Sequence, residues 1–97
     1  MDIRVGKILS VESVQGSEKL LKIEVDIGTE KRQIIAGLAK VFKLDELSGK
    51  NFVVLVTLEP KKFIGLESQG MILCADDEGK PVCLAPLKDA PAGSKIL

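Results

Sequence analysis

The chain has 97 residues, of which 45% are hydrophobic, a length that allows one modest core and excludes two independent domains. Fourteen basic residues balance fourteen acidic ones, so a strongly positive field over the whole molecule is excluded as a basis for nucleic-acid binding. Two cysteines without any histidine argue against a four-ligand zinc site. We therefore expect one domain over residues 1–97, with no metal and no cofactor.

The N-terminal region and the apolar runs predict where the protein resides. No apolar run approaches the ~18 residues of a membrane span, and Asp2 and Arg4 are charged where a secretory signal carries a hydrophobic stretch. We therefore expect a soluble, cytoplasmic protein without a membrane partner. Because that compartment keeps thiols reduced, Cys74 and Cys83 are expected to be half-buried core residues and not a disulfide.

Three strands are predicted in the first part of the chain. Apolar residues recur at period two along the first of them: Ile3, Val5, Leu9 and Val11. Gly6 is expected to let this strand bend. Alternation from Leu21 to Ile27 predicts the second strand, and Gly28-Thr29-Glu30 supplies a turn into a third around Arg32 to Ile35.

The middle of the chain predicts one short helix and two further strands. The segment Leu44 to Gly49 has helix formers followed by a glycine suited to the left-handed C-terminal position. The run from Phe52 to Leu58 predicts a strand buried on both faces, and Met71 to Ala75 predicts its successor. The predicted fold class is therefore all-β, an OB-fold: a five-stranded Greek-key barrel with one short helix and a C-terminal extension.

Residues 76–97 are predicted to form a hairpin and an extension. A turn centred on Glu78-Gly79 would place Cys74 and Cys83 opposite each other on neighbouring strands. The prolines of the extension exclude a central strand, since proline donates no ladder hydrogen bond. The extension then either wraps the edge of the barrel or buries its apolar side chains against a second copy of the chain.

The stretch Lys61 to Met71, which joins the last two predicted barrel strands, is the most informative for function. It contains two adjacent cations and two glycines that permit close backbone approach, and Ser68 and Gln69 are able to donate to phosphate or ribose oxygens. This chemistry suits a sugar-phosphate surface. The same residues also fit a solvated loop with ordinary turn glycines.

Within this stretch, the pattern of a basic residue, an apolar residue, Gly65, Ser68 and Gly70-Met71 resembles the signature of the tRNA-binding domain family. Three other segments resemble that family in the expected order: Asp2 to Ile8, Ser17 to Leu20, and Ile34 to Ala39. The resemblance covers nearly the whole chain. Two departures concern individual RNA contacts, since Ala36 replaces a common serine and Thr57 replaces a frequent asparagine.

The resemblance implies a tRNA-binding surface made from named side chains. These are Lys19, Arg32, Lys61, Lys62, Ser68, Gln69 and Met71. Three of them have simpler interpretations: Lys19 as an ordinary surface lysine, Arg32 as the cross-strand partner of an acid such as Glu24, and Met71 as a core residue. Lys61 and Lys62 are the strongest candidates, because adjacent cations in such a loop have no evident folding role.

The implied partner is tRNA, bound through its shape and its phosphates without sequence specificity. Each phosphate contact releases counterions, so affinity is expected to fall steeply as salt rises. The resemblance also implies a homodimer joined through the C-terminal region, as in bacterial members of the family. That region corresponds here to roughly residues 76–97. Two copies side by side would raise the apparent affinity by ~10²-fold or more.

An enzyme is the first alternative, and the sequence argues against it. The chain has no histidine, no nucleophile beside a plausible base and no phosphate-cradling glycine loop that leads into a helix. We therefore expect no catalytic residues and no small-molecule substrate.

Two alternatives share the predicted fold. A dimeric secretion-type chaperone would present apolar grooves to unfolded chains, and the segment Ser68 to Met71 favours tRNA binding over it. The tRNA-binding family also includes free-standing proteins and the C-terminal domain of bacterial methionyl-tRNA synthetases. The closing residues 92–97 resemble the end of such synthetases, which favours an excised domain of a larger ligase over a free-standing dimeric protein.

Overall fold

Nine strands and one helical turn make up the regular secondary structure of the described part of the chain. The structure is a computed structural model that describes residues 2–56 and 59–97. In chain order the elements are β1 Asp2–Ser13, β2 Leu21–Asp26, β3 Lys31–Ala36, α1 Leu44–Leu47, β4 Asn51–Val56, β5 Lys61–Phe63, β6 Leu66–Ser68, β7 Met71–Ile72, β8 Cys74–Asp77 and β9 Lys80–Cys83. The predicted strand end at Leu58 and the departure at Thr57 lie outside the described residues.

Five of the strands form one curled antiparallel sheet in the order β3-β2-β1-β4-β7. The helix α1 lies between β3 and β4 in the chain. The curled antiparallel sheet and the single helical turn confirm the predicted all-β class with one short helix between the third and fourth strands. Across residues 2–56 and 59–97, no helix has the length and apolar character needed to cross a membrane.

The long strand β1 bends through a register irregularity between Ile8 and Ser10. Its first half pairs with β4 and its second half pairs with β2. The irregularity changes which residues face inward, as an extra residue in a strand does. Ile8 therefore belongs to the core and Val11, three residues further on, packs against it, although strict alternation predicts Leu9 together with Val11. Val5 is also buried, at 3% exposure, but lies outside this core cluster.

Gly6 was expected to bend β1, but its role is to provide space. A Cβ atom at this position would lie 2.6 Å from Cγ1 of Val25 and 2.7 Å from Cγ2 of Val54. The neighbouring strands β2 and β4 therefore pack their valines directly over the glycine. The bend itself belongs to the irregularity that follows.

The core lies inside the curl of the sheet. Its most buried side chains are Ile8, Leu21, Ile23, Val25, Ile34, Leu47 and Val54. In β4, Phe52, Val54 and Val56 are buried while the alternate residues are half-buried, so the apolar run has one fully buried face and one partly covered face. The alternation predicted for β2 is confirmed.

The predicted helix is present as a single turn at Leu44–Leu47. Leu47 is fully buried and anchors the turn under the sheet, and the backbone N–H of Lys43 donates to Oε1 of Glu46 at 2.8 Å. Gly49 follows with a φ of 79°, the left-handed conformation that the sequence predicts. One turn suffices because burial of Leu47, and not helix propensity, stabilises it.

The strand predicted over Met71 to Ala75 is divided at Leu73. β7 belongs to the barrel sheet, whereas β8 pairs with β9 as a separate hairpin. Leu73 donates to the carbonyl of Val53, and Leu84 donates to the carbonyl of Leu73. These bonds fix the base of the hairpin at the edge of β4.

The hairpin places Cys74 directly opposite Cys83, as predicted. Both are free thiols with 3.5 Å between their sulfur atoms, and both pack partly buried against the core. Burial and the hydrogen bond with Cys74 raise the pKa of Cys83 to about 12. This thiol is therefore protonated at neutral pH, in agreement with the expected core role.

The C-terminal extension wraps the edge of the barrel, one of the two predicted possibilities. The amide of Val5 donates to the carbonyl of Ser94, and the amide of Ile96 donates to the carbonyl of Ile3. Residues 93–96 thus cover the part of β1 that β2 leaves unpaired. The covering satisfies edge backbone groups that would otherwise be open to another chain.

Candidate nucleic-acid interface

The segment predicted to be a loop from Lys61 to Met71 folds instead as a hairpin of its own. β5 and β6 pair antiparallel, with Phe63 opposite Leu66. The two connecting residues, Ile64 and Gly65, have positive φ of 49° and 74°, as both central residues of a type I′ turn do. The ordered hairpin gives the cations of β5 fixed positions relative to the barrel.

The two adjacent lysines point to opposite faces of this hairpin, because successive side chains in a strand alternate. Lys61 pairs with Ser68 in register and lines a cavity, whereas Lys62 pairs with Glu67. Both lysines are exposed. Glu67 lies across from Lys62, whereas the residue across from Lys61 is the uncharged Ser68.

The cavity beside the hairpin has a volume of about 460 Å³ and a mostly apolar lining. Its walls come from β3 and the residues that follow, from the β5–β6 hairpin and from β7. The apolar side chains that contribute include Leu20, Leu38, Phe63 and Met71. Chemically, this arrangement accepts a flat or apolar group while Lys61 supplies a positive charge at the same wall.

Ser68 is buried, at 4% exposure, and its hydroxyl has two backbone partners. It accepts the amide proton of Ile35 at 3.0 Å and donates to the carbonyl of Gly70 at 3.0 Å. The hydroxyl that the sequence analysis assigned to a ligand oxygen therefore connects β3 to the end of β6. Its position favours a structural role over direct contact with RNA.

Gln69 joins the same two elements. Its side-chain Oε1 accepts the amide of Gln33 at 3.1 Å, and its backbone amide donates to the carbonyl of Gln33 at 2.8 Å. The Gln33 side chain returns a bond to the carbonyl of Glu67 at 2.8 Å. Side chains thereby complete the pairing between β3 and the hairpin where regular strand pairing is absent, and they satisfy the free edge of β3.

Arg32 pairs with Glu30, at 2.6 Å between Nη2 and Oε1, and Glu24, the example of a cross-strand acid in the simpler interpretation, does not lie opposite it. The cause is the register, which places Gln33 and not Arg32 opposite Glu24. A second guanidinium nitrogen, Nη1, donates to the carbonyl of Gln69 at 3.2 Å. Arg32 therefore supports the end of the hairpin, and Glu30 offsets much of its charge.

The remaining two candidates lie around the cavity. Met71 lines it and is 52% exposed, so the simpler interpretation of Met71 as a core residue is wrong. Lys19 is exposed, and its carbonyl accepts the amide of Ala39 at 2.9 Å. Its neighbour Leu20 lines the cavity.

Sequence reasoning missed two contributions to this surface. The segment Ala36 to Leu38 forms one wall of the cavity, although it was noted only as a family segment. Ile64 adopts a left-handed conformation that isoleucine rarely takes, and only the following Gly65 indicated a turn there.

Among the described residues, no group of three or more acidic or cysteine side chains is placed to hold a metal ion.

Comparison with known proteins finds similar sequences that cover nearly the whole chain. Residues 3–95 match the family described as "Putative tRNA binding domain". A methionine–tRNA ligase of Methanothrix thermoacetophila is 53% identical over 96 residues, which cover 99% of this chain and 14% of the ligase. The chain therefore spans only a small part of the curated relative that it matches.

Two solved structures superimpose closely on this chain. The MetRS related protein from Pyrococcus horikoshii has a TM-score of 0.92 and 38% identity, with 99% of this chain and 89% of that one covered. The chaperone CsaA from Bacillus anthracis has a TM-score of 0.88 and 28% identity, with coverage of 99% and 90%. From the family match and the identity to these relatives, we conclude that the chain belongs to the tRNA-binding domain family.

Proposed function

We propose that this domain binds the folded body of tRNA through its shape and phosphates, without reading sequence, as the C-terminal tRNA-binding and dimerisation domain of a methionyl-tRNA synthetase. The observation that carries the proposal is the ordered β5–β6 hairpin, which displays Lys61 beside an open apolar cavity and Lys62 on its other face. Phosphate contacts of this kind position a protein on RNA but carry no base identity. Catalysis would belong to the remaining length of the ligase.

Within this proposal the candidate residues have two different tasks. Lys61, Lys62 and Lys19 contact phosphates, and Met71 contributes an apolar contact, since all four are exposed and Lys61 and Met71 line the cavity. The other three, Arg32, Ser68 and Gln69, hold the hairpin against β3 through the hydrogen bonds described above. The surface is thus a few cations on a hairpin that these three residues hold in place.

The proposed setting is the cytoplasm, and the proposed assembly is a homodimer. The free thiols of Cys74 and Cys83 are usual in a reducing compartment. Exposed apolar side chains cluster in the C-terminal part of the chain: Val82, Leu84, Leu87, Ile96 and Leu97. A second copy of the chain would cover them, and two tRNA-binding surfaces would then act together.

The decisive experiment replaces both lysines of the hairpin. Lys61→Ala with Lys62→Ala is expected to weaken binding about equally for different tRNAs and to reduce the slope of log affinity against log salt by about 2. The measurement is fluorescence anisotropy with labelled, folded tRNA at several salt concentrations. The matched control is Lys7→Ala with Lys50→Ala, which removes two exposed lysines near the opposite end of β4.

Equal losses in the two double variants would contradict the assignment of the hairpin as the RNA-contacting element. Poor displacement of tRNA by an unstructured RNA of equal length is expected, since shape is what the domain recognises. Displacement by the unstructured RNA at equal concentration would contradict shape recognition.

A chaperone is the second candidate function, and the apolar cavity together with the fold shared with CsaA favours it. Under this alternative, unfolded polypeptide would occupy the cavity and tRNA would not compete for it. Absence of tRNA binding at low salt, combined with suppression of aggregation of an unfolded client protein, would support the chaperone over the tRNA-binding domain.

A further inference from the structure

The tip of the β5–β6 hairpin contains a residue that its conformation disfavours. Ile64 has a φ of 49°, and a β-branched side chain in the left-handed region is a genuine outlier. Asparagine or glycine is the usual residue at this position of a two-residue turn. Backbone strain of this kind is concentrated at functional sites, where the side chain is needed for something other than folding.

The strained side chain is also exposed. Ile64 is 61% exposed and the preceding Phe63 is 40% exposed, so the tip presents two adjacent apolar side chains to solvent. Neither the turn nor the fold benefits from an exposed isoleucine there. Contact of this side chain with a binding partner would account for both the strain and the exposure.

The surroundings of the tip indicate what it meets. Lys61 and Lys62 lie immediately before it on β5 and are both exposed, with Glu67 as the acid opposite Lys62. An apolar tip that follows two cations is complementary to a nucleotide, which combines a flat apolar base with an anionic phosphate. Apolar side chains that pack on bases next to cation–phosphate contacts are an established mode of nucleic-acid binding.

We propose that Phe63 and Ile64 form a base-contacting tip, which packs against the exposed face of a nucleobase in the folded tRNA while the neighbouring lysines hold its phosphates. This inference rests on the proposed function and adds to it the part of tRNA that the hairpin recognises. An exposed base face occurs at defined places in a folded RNA. A contact with such a face does not depend on which base it is, but it does depend on the shape of the folded tRNA.

The test exploits the strain. Ile64→Asn places a residue suited to the left-handed region at the tip, so the melting temperature is expected to rise by about 5 °C. The same variant loses the apolar contact and is expected to bind folded tRNA roughly tenfold more weakly. Its salt dependence remains that of the wild type, because no phosphate contact is removed. The measurements are thermal unfolding and fluorescence anisotropy with labelled tRNA.

Ile64→Met is the matched control, since it keeps an apolar side chain at the tip and is expected to retain tRNA affinity within about twofold of wild type. Phe63→Leu removes the aromatic ring that stacks on a base, so it is expected to weaken binding as Ile64→Asn does, with an unchanged salt slope. A base contact is then distinguished from a structural role, because a purely structural residue would not lower affinity while raising stability.

The inference and the proposed function fail in different ways. Wild-type affinity in Ile64→Asn, with the expected loss in the double lysine variant, overturns the base-contacting tip alone. Unchanged tRNA affinity together with weaker binding of unfolded polypeptide in Ile64→Asn overturns it in favour of a chaperone surface. Absence of salt-dependent tRNA binding in the wild type overturns both.

Discussion

At Ser68 one hydroxyl satisfies two backbone groups that β3 and the hairpin would otherwise leave unpaired. Side chains of this type in a glycine-containing segment suggest ligand contact, because hydroxyls and amides donate to phosphate oxygens. In the structure the same chemistry is directed inward, to Ile35 and Gly70. The adjacent Gln69 behaves likewise, so polar residues near a binding surface also serve to hold it.

Ser68→Ala is therefore expected to lower the free energy of unfolding by about 1–3 kcal/mol, since it leaves the buried amide of Ile35 without its acceptor. Urea denaturation measures the change. The control is Ser10→Ala, which alters an exposed serine in β1 and is expected to change stability by less than about 0.5 kcal/mol. Similar effects from the two substitutions would show that the Ser68 hydrogen bonds contribute little to stability.

Among the elements, the C-terminal extension depends on two glycines that meet across the fold. A Cβ atom at Gly28 would lie 2.6 Å from the carbonyl oxygen of Ala92, and one at Gly93 would lie 2.5 Å from that of Ile27. Both glycines also have positive φ, of 91° and 90°. The turn between β2 and β3 therefore fits against the extension only without side chains.

Gly28→Ala is expected to destabilise the protein in two ways, by strain at positive φ and by displacement of the extension from β1. The strain alone costs about 1 kcal/mol, and the clash with backbone adds about 1–3 kcal/mol. Gly16→Ala is the matched control, because Gly16 has a φ of 86° but nothing within 4 Å of its added Cβ. Urea denaturation gives the difference, and hydrogen exchange of the Val5 and Ile96 amides reports the displacement.

If Gly28→Ala and Gly16→Ala cost the same free energy, the close approach of the turn to the extension carries no stability of its own. Unchanged protection of the Val5 amide would lead to the same conclusion, since that amide donates to the extension.

At the scale of the whole molecule, the C-terminal part of the chain exposes apolar side chains that no other part of the described chain covers. Leu87 is 99% exposed and Leu84 is 42% exposed, on the same stretch of chain that borders the β8–β9 hairpin. Clustered apolar side chains on a surface commonly mark contacts with another protein. A second copy of the chain would bury them and bring together two weak tRNA-binding surfaces.

Leu87→Glu is accordingly expected to shift the protein from dimer to monomer in sedimentation velocity experiments, because a carboxylate would be buried in the contact. Its affinity for tRNA is expected to fall by ~10²-fold as the second surface is lost. Val41→Glu, which changes a 40% exposed apolar residue outside the C-terminal part, is expected to remain dimeric. Identical sedimentation of both variants and the wild type would contradict the proposed contact.

The strand β2 and the turn of the β8–β9 hairpin could be predicted from the sequence, because they depend on residues that are close together in the chain. Alternation from Leu21 to Ile27 predicts β2 because side-chain direction in a strand has period two. The Glu78-Gly79 turn predicts the pairing of Cys74 with Cys83 because a two-residue loop fixes the register of its strands. The two lysines of the β5–β6 hairpin could be chosen from the sequence as candidates for phosphate contact, since adjacent cations there have no evident folding role.

Tertiary structure decided the remaining features, because they depend on contacts between segments distant in the chain. The step from Ile8 to Val11 on the inward face follows from the irregularity in β1, and the need for Gly6 follows from valines on two other strands. Ser68 and Arg32 carry the same chemistry whether they face a ligand or the protein, and only the position of β3 determines which. The strain at Ile64 is likewise visible only in the folded backbone.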